Sequence, residues 1–247
     1  MDIVGTGFLA RSLRPLAGRH PGTLALAAGE SRTSGASEAD YQREAALLRD
    51  VTKQCTASGL RLLFFSTAAT GMYGLAEGPG REDAPVTPCS PYGAHKLALE
   101  EQLRDSGVDH LILRLGHLVG PHGRHHQLIP TLLRQVREGV VTMHRGAARD
   151  LIAVSDATTI IDLLLAADRK SETVNVASGF AVPVEDIVDH LARALRLEPR
   201  KEYVDTGVRY AISTEKLRAL VPQVADLGFG PDYYRRVLND LIAAGHA

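Results

Sequence analysis

A tyrosine and a lysine stand four apart in the string Tyr92-Gly93-Ala94-His95-Lys96. On a helix that spacing places both side chains on one face, one turn from each other. An ammonium beside a phenol favours the phenolate, so Lys96 is expected to lower the Tyr92 pKa toward working pH. A phenol tuned in this way suits proton transfer at the oxygen of a carbonyl being made or broken. The same pair also arises when a tyrosine packs under a lysine stem, so its meaning depends on its surroundings.

The N-terminus supplies the first of these. Met1-Asp2-Ile3-Val4 reads as a short strand and runs into Gly5-Thr6-Gly7-Phe8-Leu9-Ala10, after which Leu9, Leu13 and Leu16 recur at helical spacing toward Gly18. A G-x-G-x-x-A turn between a strand and a helix is a dinucleotide-binding signal. Gly5 permits the tight turn, Gly7 lets backbone approach a pyrophosphate, and Ala10 allows close helix–strand packing. Free N–H groups at the helix start then face the phosphates.

Further along, short apolar runs alternate with helical patterns. Thr23 to Ala28 reads as a buried strand, broken by a polar loop from Gly29 to Gly35. A helix is expected from about Glu38 to Ser58, with Ala45, Leu48, Val51 and Cys55 on one face. Leu60 to Phe65 is a strongly apolar strand, ending in Ser66-Thr67-Ala68-Ala69-Thr70-Gly71, and Gly78 to Pro91 reads as loop. A helix over Tyr92 to Leu103, a strand over Asp109 to Arg114, and a Gly- and His-rich loop from Gly116 to His126 follow. Helices are expected over Leu128 to Arg137, Ala157 to Ala167 and Pro183 to Leu197, with strands over Asp150 to Val154 and Thr173 to Val176. Segments Ile212 to Leu220 and Pro231 to Ala244 close the chain, and Ser155-Asp156 reads as a helix N-cap. The alternation calls for an α/β fold with a doubly wound parallel sheet.

Composition narrows the function classes. The 247 residues are 45% hydrophobic and 23% charged, with a net charge of −1. That suits one sizeable core, or one domain with a small lobe, and no global field favours nucleic acid or membrane. Tryptophan is absent and aromatics make up 5%, so base-stacking platforms are not expected. Cys55 and Cys89 lie in no ligand or disulfide pattern, no basic n-region with an apolar run opens the chain, and no run reaches membrane-spanning length. A reducing cytoplasm is the expected compartment.

Six strings, in order, carry a resemblance. They are Gly5-x-Gly7-x-x-Ala10; Phe65-Ser66-Thr67 leading to Tyr73-Gly74; Tyr92-x-x-x-Lys96; Arg114 to Pro121; Arg149-Asp150-Leu151-Ile152-x-Val154-x-Asp156; and Asn175-Val176-Ala177-Ser178-Gly179. Together they resemble an extended short-chain dehydrogenase/reductase of the nucleotide-sugar epimerase/dehydratase type. The short length and the strings Gly71 to Gly74 and Tyr92 to Lys96 are most similar to NDP-4-keto-6-deoxyhexose 4-ketoreductases of deoxysugar pathways in antibiotic-producing actinomycetes.

The resemblance implies a Rossmann core over residues 1–115 with 150–176 returning to it, and a substrate lobe from 116–149 and 177–247, intertwined as one unit. It implies Tyr92 as proton donor while hydride arrives from nicotinamide. Lys96 would lower the Tyr92 pKa and bind ribose hydroxyls, and a strand-end hydroxyl would polarise the carbonyl. The cofactor would contact Gly5, Thr6, Gly7, Phe8, Leu9, Ala10, Arg11, Ala28, Arg32, Ser66, Tyr92, Lys96 and Leu115. Tyr73, His117 and Arg149 would face a nucleotide-diphosphate sugar, and homodimers are expected.

Two departures stand out. Counting from the strand makes Thr67 the catalytic hydroxyl; counting back from Tyr73 lands on Ala69, with Thr70 close by. Thr67 is favoured and Thr70 is second, although both could merely cap loop backbone. The interval from Gly5 to Tyr92 is also short for the family. Leu24 to Gly29 resembles the family's later apolar-Ala-Ala strand, so a βαβ piece beside the adenosine is expected to be missing. No acidic residue ends that strand, which leaves the ribose 2′-OH acceptor unassigned. Arg11 and Arg32 could instead meet a 2′-phosphate, which favours NADPH over NADH, against a reading of both as plain surface arginines.

His117, His122, His125 and His126 crowd one loop without a carboxylate or cysteine at ligand spacing, so no metal is expected. The leading expectation is an NAD(P)H-dependent 4-ketoreductase. The alternatives are an NAD-retaining 4-epimerase or dehydratase, and an inactive nucleotide-binding member. Dehydration needs an acid/base pair after the catalytic hydroxyl, and Ala68-Ala69 offers none.

Overall fold

The computed structural model describes residues 1–33, 35–69, 71–73, 78, 80–209 and 211–245. Thr70 and Gly74, named above, lie outside the described residues. The main sheet holds five parallel strands: β1 (Asp2–Val4), β2 (Thr23–Leu26), β3 (Arg61–Thr67), β4 (His110–Leu115) and β8 (Glu172–Val176), side by side in that order. β3 and β4 are buried along their whole length, as parallel strands covered on both faces must be.

The helices cover the two faces unequally. Leu24, Leu26, Leu62, Phe64 and Ile112 point to one face and pack against α2 (Glu38–Ser58) and α3 (Pro91–Asp105). Ala25, Leu63, Phe65, Leu113 and Val174 point to the other. There they meet Leu13 and Leu16 after α1 (Phe8–Ser12), α5 (Val154–Ala166) and α7 (Glu215–Leu220). The connection from β1 to β2 through α1 therefore crosses on the opposite face from those through α2 and α3, while stepping across the sheet in the same direction. It has the opposite hand. One hand dominates such crossovers overwhelmingly, and this connection is the exception. Among the described residues no strand pairs with the outer edge of β1, which is the shortening expected from the Gly5–Tyr92 interval.

Local chemistry accounts for the element ends. Ser37 and Asp40 form a capping box that opens α2, and Gly59 closes it in the left-handed region (φ 63°). Ser90 accepts the Gly93 N–H and Pro91 fills the first turn, which fixes where α3 begins. The expected N-terminal helix is cut to Phe8–Ser12, and Arg14-Pro15-Leu16 continues as a 3-10 turn, because Pro15 cannot donate an N–H. Asp156 is not an N-cap. α5 starts at Val154 with no side-chain cap, and Asp156 instead accepts from Tyr233 Oη at 2.6 Å and Arg236 at 3.1 Å.

A second core joins α4 (Leu128–Glu138), α6 (Val184–Leu195) and α8 (Tyr233–Ala243) to two small sheets. One pairs β6 (Val140–His144) with β10 (Arg200–Val204); the other orders β5 (His117–Val119), β7 (Ala148–Ala153) and β9 (Ala181–Pro183). β5 and β9 lie in stretches read as loop and as helix start, and β6 and β10 in stretches to which the sequence reading assigned no element.

Beneath the main sheet lies a charged knot. Glu100, fully buried, accepts from Arg114 Nε at 3.0 Å and Nη2 at 2.8 Å, from Ser66 Oγ at 2.5 Å, and from Arg104 at 2.7 Å. Arg114 also donates to Tyr73 Oη at 3.1 Å, and that hydroxyl donates to Asn175 Oδ1 at 2.6 Å. Breaking a buried pair from one side strands a charge, at a cost of about 3–5 kcal/mol. Arg114→Leu is expected to lose about that much stability in urea unfolding. Removing both charges in Glu100→Leu/Arg114→Leu should recover a large part of it. Equal losses in the single and double variants would contradict the pairing.

Candidate active site

The connections leaving β1 and β2 diverge to opposite faces, and this opens a crevice at the carboxyl ends of the strands, where α/β sheets bind ligands. A cleft of about 420 Å³ lies there, walled by Gly7, Phe8 and Leu9 on one side and by Gly29, Glu30 and Ser31 on another. Phe65, Ser66, Thr67, Tyr92, Lys96 and Leu115 line its floor, and His117, Arg124, His126 and Arg149 face it from the second lobe.

Gly5 is required by its backbone and surroundings. Its φ is 133°, and a Cβ there would lie 2.4 Å from the Ala27 carbonyl oxygen. Gly7 is open except for the Arg124 guanidinium, 3.1 Å from where its Cβ would stand. Among the described residues Arg124 has no carboxylate partner within ion-pair distance. A turn without side chains beneath an unpaired guanidinium fits a pyrophosphate. The nicotinamide side fits as well, since the turn, strand ends and Tyr92–Lys96 share one cleft. The adenosine side fits only in part. Gly5, Thr6, Ala10 and Arg11 line a separate depression of about 300 Å³ along the bare edge of β1, and Ala28 lines neither.

Tyr92 and Lys96 do share a face of α3, with Nζ 5.6 Å from the Tyr92 ring centroid. The expected tuning of the phenol is not what the structure shows. Burial pushes the Tyr92 phenol above its ordinary value, and the Lys96 charge only partly opposes this, because Glu44 and Glu30 add negative charge nearby. The phenol donates to the Glu30 carbonyl at 3.3 Å. Lys96 is held by a residue that the sequence reading missed: Nζ donates to Glu44 Oε1 at 2.6 Å, and His95 Nε2 meets Glu44 Oε2 at 2.9 Å. Burial alone would raise the Glu44 carboxyl, but His95 and Lys96 together hold it below its ordinary value. The signal was present: Glu44 lies on the same α2 stripe as Leu48, Val51 and Cys55. Gly29 makes room for the pair, since a Cβ there would lie 2.3 Å from Glu44 Oε1 and 3.0 Å from Lys96 Nζ.

Other expected residues divide. Thr67 lines the cleft, but its hydroxyl exchanges bonds with Ala69, donating to the carbonyl and accepting from the N–H, each at 3.1 Å. Ser66 reaches the cleft while its hydroxyl turns to Glu100. Tyr73 is not brought to the cleft; its hydroxyl is taken by Arg114 and Asn175. Arg32 pairs with Glu30 at 2.9 Å and Asp40 at 2.8 Å, so its charge is already answered. Arg11 donates to the Thr6 carbonyl at 3.1 Å.

His117 and Arg149 meet at the lobe side. Burial, reinforced by the Arg149 charge, pushes the His117 imidazole down to about 3, so it is neutral at working pH. Its Nδ1 is inaccessible and has no partner within the protein. Arg149 donates to the Ala148 and Val208 carbonyls. The adjacent Asp150 accepts from the Ser178 and Gly179 N–H groups and from Ser178 Oγ, tying β7 to the turn after β8. No group of three or more metal-ligating side chains forms among the described residues.

The chain is 42% identical over 91 residues to UDP-glucose 4-epimerase from Azospirillum brasilense, a match over 34% of this chain and 26% of that protein. It is 27% identical over 184 residues to dTDP-glucose 4,6-dehydratase from Streptomyces niveus, over 68% of this chain and 52% of that protein. It thus spans about half, or less, of the length of these relatives. In fold it is similar to RMD from Pseudomonas aeruginosa, solved in complex with NADPH, with a TM-score of 0.78 at 18% identity and 96% of each chain covered. The model of the NAD dependent epimerase/dehydratase family matches residues 16–177, which take in Tyr92, Lys96 and the strand-end segment after β3. The chain belongs to that family.

Proposed function

We propose that the protein reduces the 4-keto group of a nucleotide-activated 6-deoxyhexose, with NADPH as hydride source and Tyr92 as proton donor. The observation that carries this reading is the segment after β3. Thr67 lines the cleft together with Tyr92, and it is followed by Ala68 and Ala69, both buried and apolar. Dehydration needs a proton-transfer pair at that place, and two alanines cannot supply one.

In this reading the bound nicotinamide supplies hydride to the carbonyl carbon. Tyr92 gives its phenolic proton to the carbonyl oxygen, and Thr67 donates to the same oxygen once its local bonds to Ala69 are exchanged for substrate. Gly7, Phe8 and Arg124 hold the pyrophosphate of the cofactor. Segments 116–149 and 177–247 supply the substrate side, where Arg149 and the neutral His117 face the nucleotide sugar. Of the two arginines considered for a 2′-phosphate, Arg32 is already paired, and Arg11 lines the depression beside β1 together with Arg14; this supports NADPH. Release of the nicotinamide after each turnover separates this reading from an NAD-retaining epimerase, whose cofactor appears only on denaturation.

Three measurements test the assignment. Tyr92→Phe should lower kcat for 4-keto-sugar reduction by about 10²-fold or more while NADPH affinity stays within about twofold; retained activity sinks the reading. Because a buried phenol resists ionisation, the proton donor stays protonated through neutral and mildly alkaline pH. The reductase rate should hold through pH 10, the ordinary phenol value, and fall only above it. A limb near pH 7 that disappears in Tyr92→Phe would contradict this. Arg124→Ala should weaken NADH and NADPH binding by equal factors in a fluorescence titration; a loss confined to NADPH would move Arg124 to the 2′-phosphate.

A further inference from the structure

Residues 29–32 follow β2 and lie directly on the Tyr92–Lys96 pair. The Tyr92 phenol donates to the Glu30 carbonyl at 3.3 Å. One residue earlier, a Cβ on Gly29 would stand 3.0 Å from Lys96 Nζ. Beneath this backbone Tyr92 is 8% exposed and Lys96 3%. A phenol has one proton to donate. While the Glu30 carbonyl holds it, a substrate carbonyl cannot receive it, so the two acceptors exclude each other.

The segment is not held down by that bond, which is long for an O–H donor. A knot on the rim of the cleft holds it. The Glu30 carboxylate accepts from the Ser31 N–H at 2.8 Å and the Arg32 N–H at 2.7 Å, and from the Arg32 side chain through Nε at 3.2 Å and Nη2 at 2.9 Å. Arg32 Nη2 also meets Asp40 on α2 at 2.8 Å. Ser31 Oγ meets His126 Nε2 across the cleft at 3.3 Å. The Arg32 side chain, helped by the two N–H groups, holds the Glu30 carboxyl down at about 2. The knot therefore stays charged throughout the working range and does not open by titration. A weak bond to the phenol under a firm latch is what a displaceable cover requires: a ligand needs to replace only the weak bond.

We propose that residues 29–32 form a strap that caps Tyr92 in the free protein, latched by Arg32, and that the strap lifts when a ketone takes the place of the Glu30 carbonyl. The inference rests on the reductase reading, in which Tyr92 meets the substrate carbonyl. Arg32 is then a positioning residue: it touches no reacting atom and acts through the strap. Only the uncapped fraction binds substrate productively, so the apparent affinity for the keto sugar is reduced by that fraction. Proton transfer takes place with the strap lifted, so the latch does not alter the chemical step.

Arg32→Ala cuts the latch and leaves Asp40 with Ser37 and Arg43, so α2 opens as before. It should lower KM for the 4-keto sugar about fivefold or more, with kcat within about twofold of wild type. Arg32→Lys still places a cation between both carboxylates and should return KM toward wild type. General damage to the site raises KM and lowers kcat; that result overturns the strap. A second measurement needs no turnover: acetylation of the Tyr92 hydroxyl by N-acetylimidazole, followed by peptide mass mapping. It should run about tenfold faster in Arg32→Ala and in Glu30→Ala, which breaks the knot from its other side, and no faster again in the double variant. Equal rates in wild type and both single variants overturn the strap. A wild-type protein that reduces no 4-keto sugar, while Tyr92 is acetylated faster in both variants, overturns the reductase reading and leaves the strap in place.

Discussion

Everything at the site depends on two neighbouring parallel strands sending their chain to opposite sides of the sheet. After β1 the backbone turns toward the α5 face; after β2 it turns toward α2. The gap between the two departures is the crevice, and each wall is set by a steric limit. At Gly5 the limit is the Ala27 carbonyl, and at Gly29 it is the Glu44–Lys96 pair. A side chain at either position would close the space that the turn and the charge pair need. The crevice requires only that adjacent connections diverge, so it needs no strand beyond β1, and among the described residues there is none.

Two buried carboxylates divide the work behind this crevice. Glu100 gathers Arg114, Arg104 and Ser66, and through Arg114 it reaches Tyr73 and Asn175. Several residues that mark the family in sequence are thus a scaffold that locks β3, β4 and β8 to α3. Glu44 gathers Lys96 and His95 and faces the cleft. The charge of Lys96 is shared with this carboxylate, and Tyr92 stays a neutral phenol in a buried place. A phenol in that condition suits donating a proton better than accepting one.

The strand–turn–helix at Gly5, the long α2, the Tyr92 helix and the shortened sheet were legible, because each is written in local periodicity or in the order of turn residues. What was not legible has a common cause. Glu44 and Glu100 are charged residues on otherwise apolar helical stripes, and a carboxylate reads as solvent-facing unless its partners are known. Those partners come from other elements: Arg114 from β4, and His95 and Lys96 from α3 for a carboxylate on α2. Tyr73 was read toward the substrate from the family resemblance alone, but its partner Asn175 lies 102 positions away in the chain. Asp156 was read as a cap because the local pattern was right, while Tyr233 and Arg236 claim it across the lobe.

The bare edge of β1 has a consequence for how the cofactor and the fold are linked. The strand is three residues long and pairs on one side only, so it is among the least secured parts of the sheet. The glycine turn hangs from it. Any ligand that fills that turn would touch both the edge strand's turn and Arg124 of the second lobe. Ligand occupancy and the ordering of the N-terminal strand are then one equilibrium, and each stabilises the other by the same free energy. A ligand seated on that turn would thus take the place of a neighbouring strand in securing the edge.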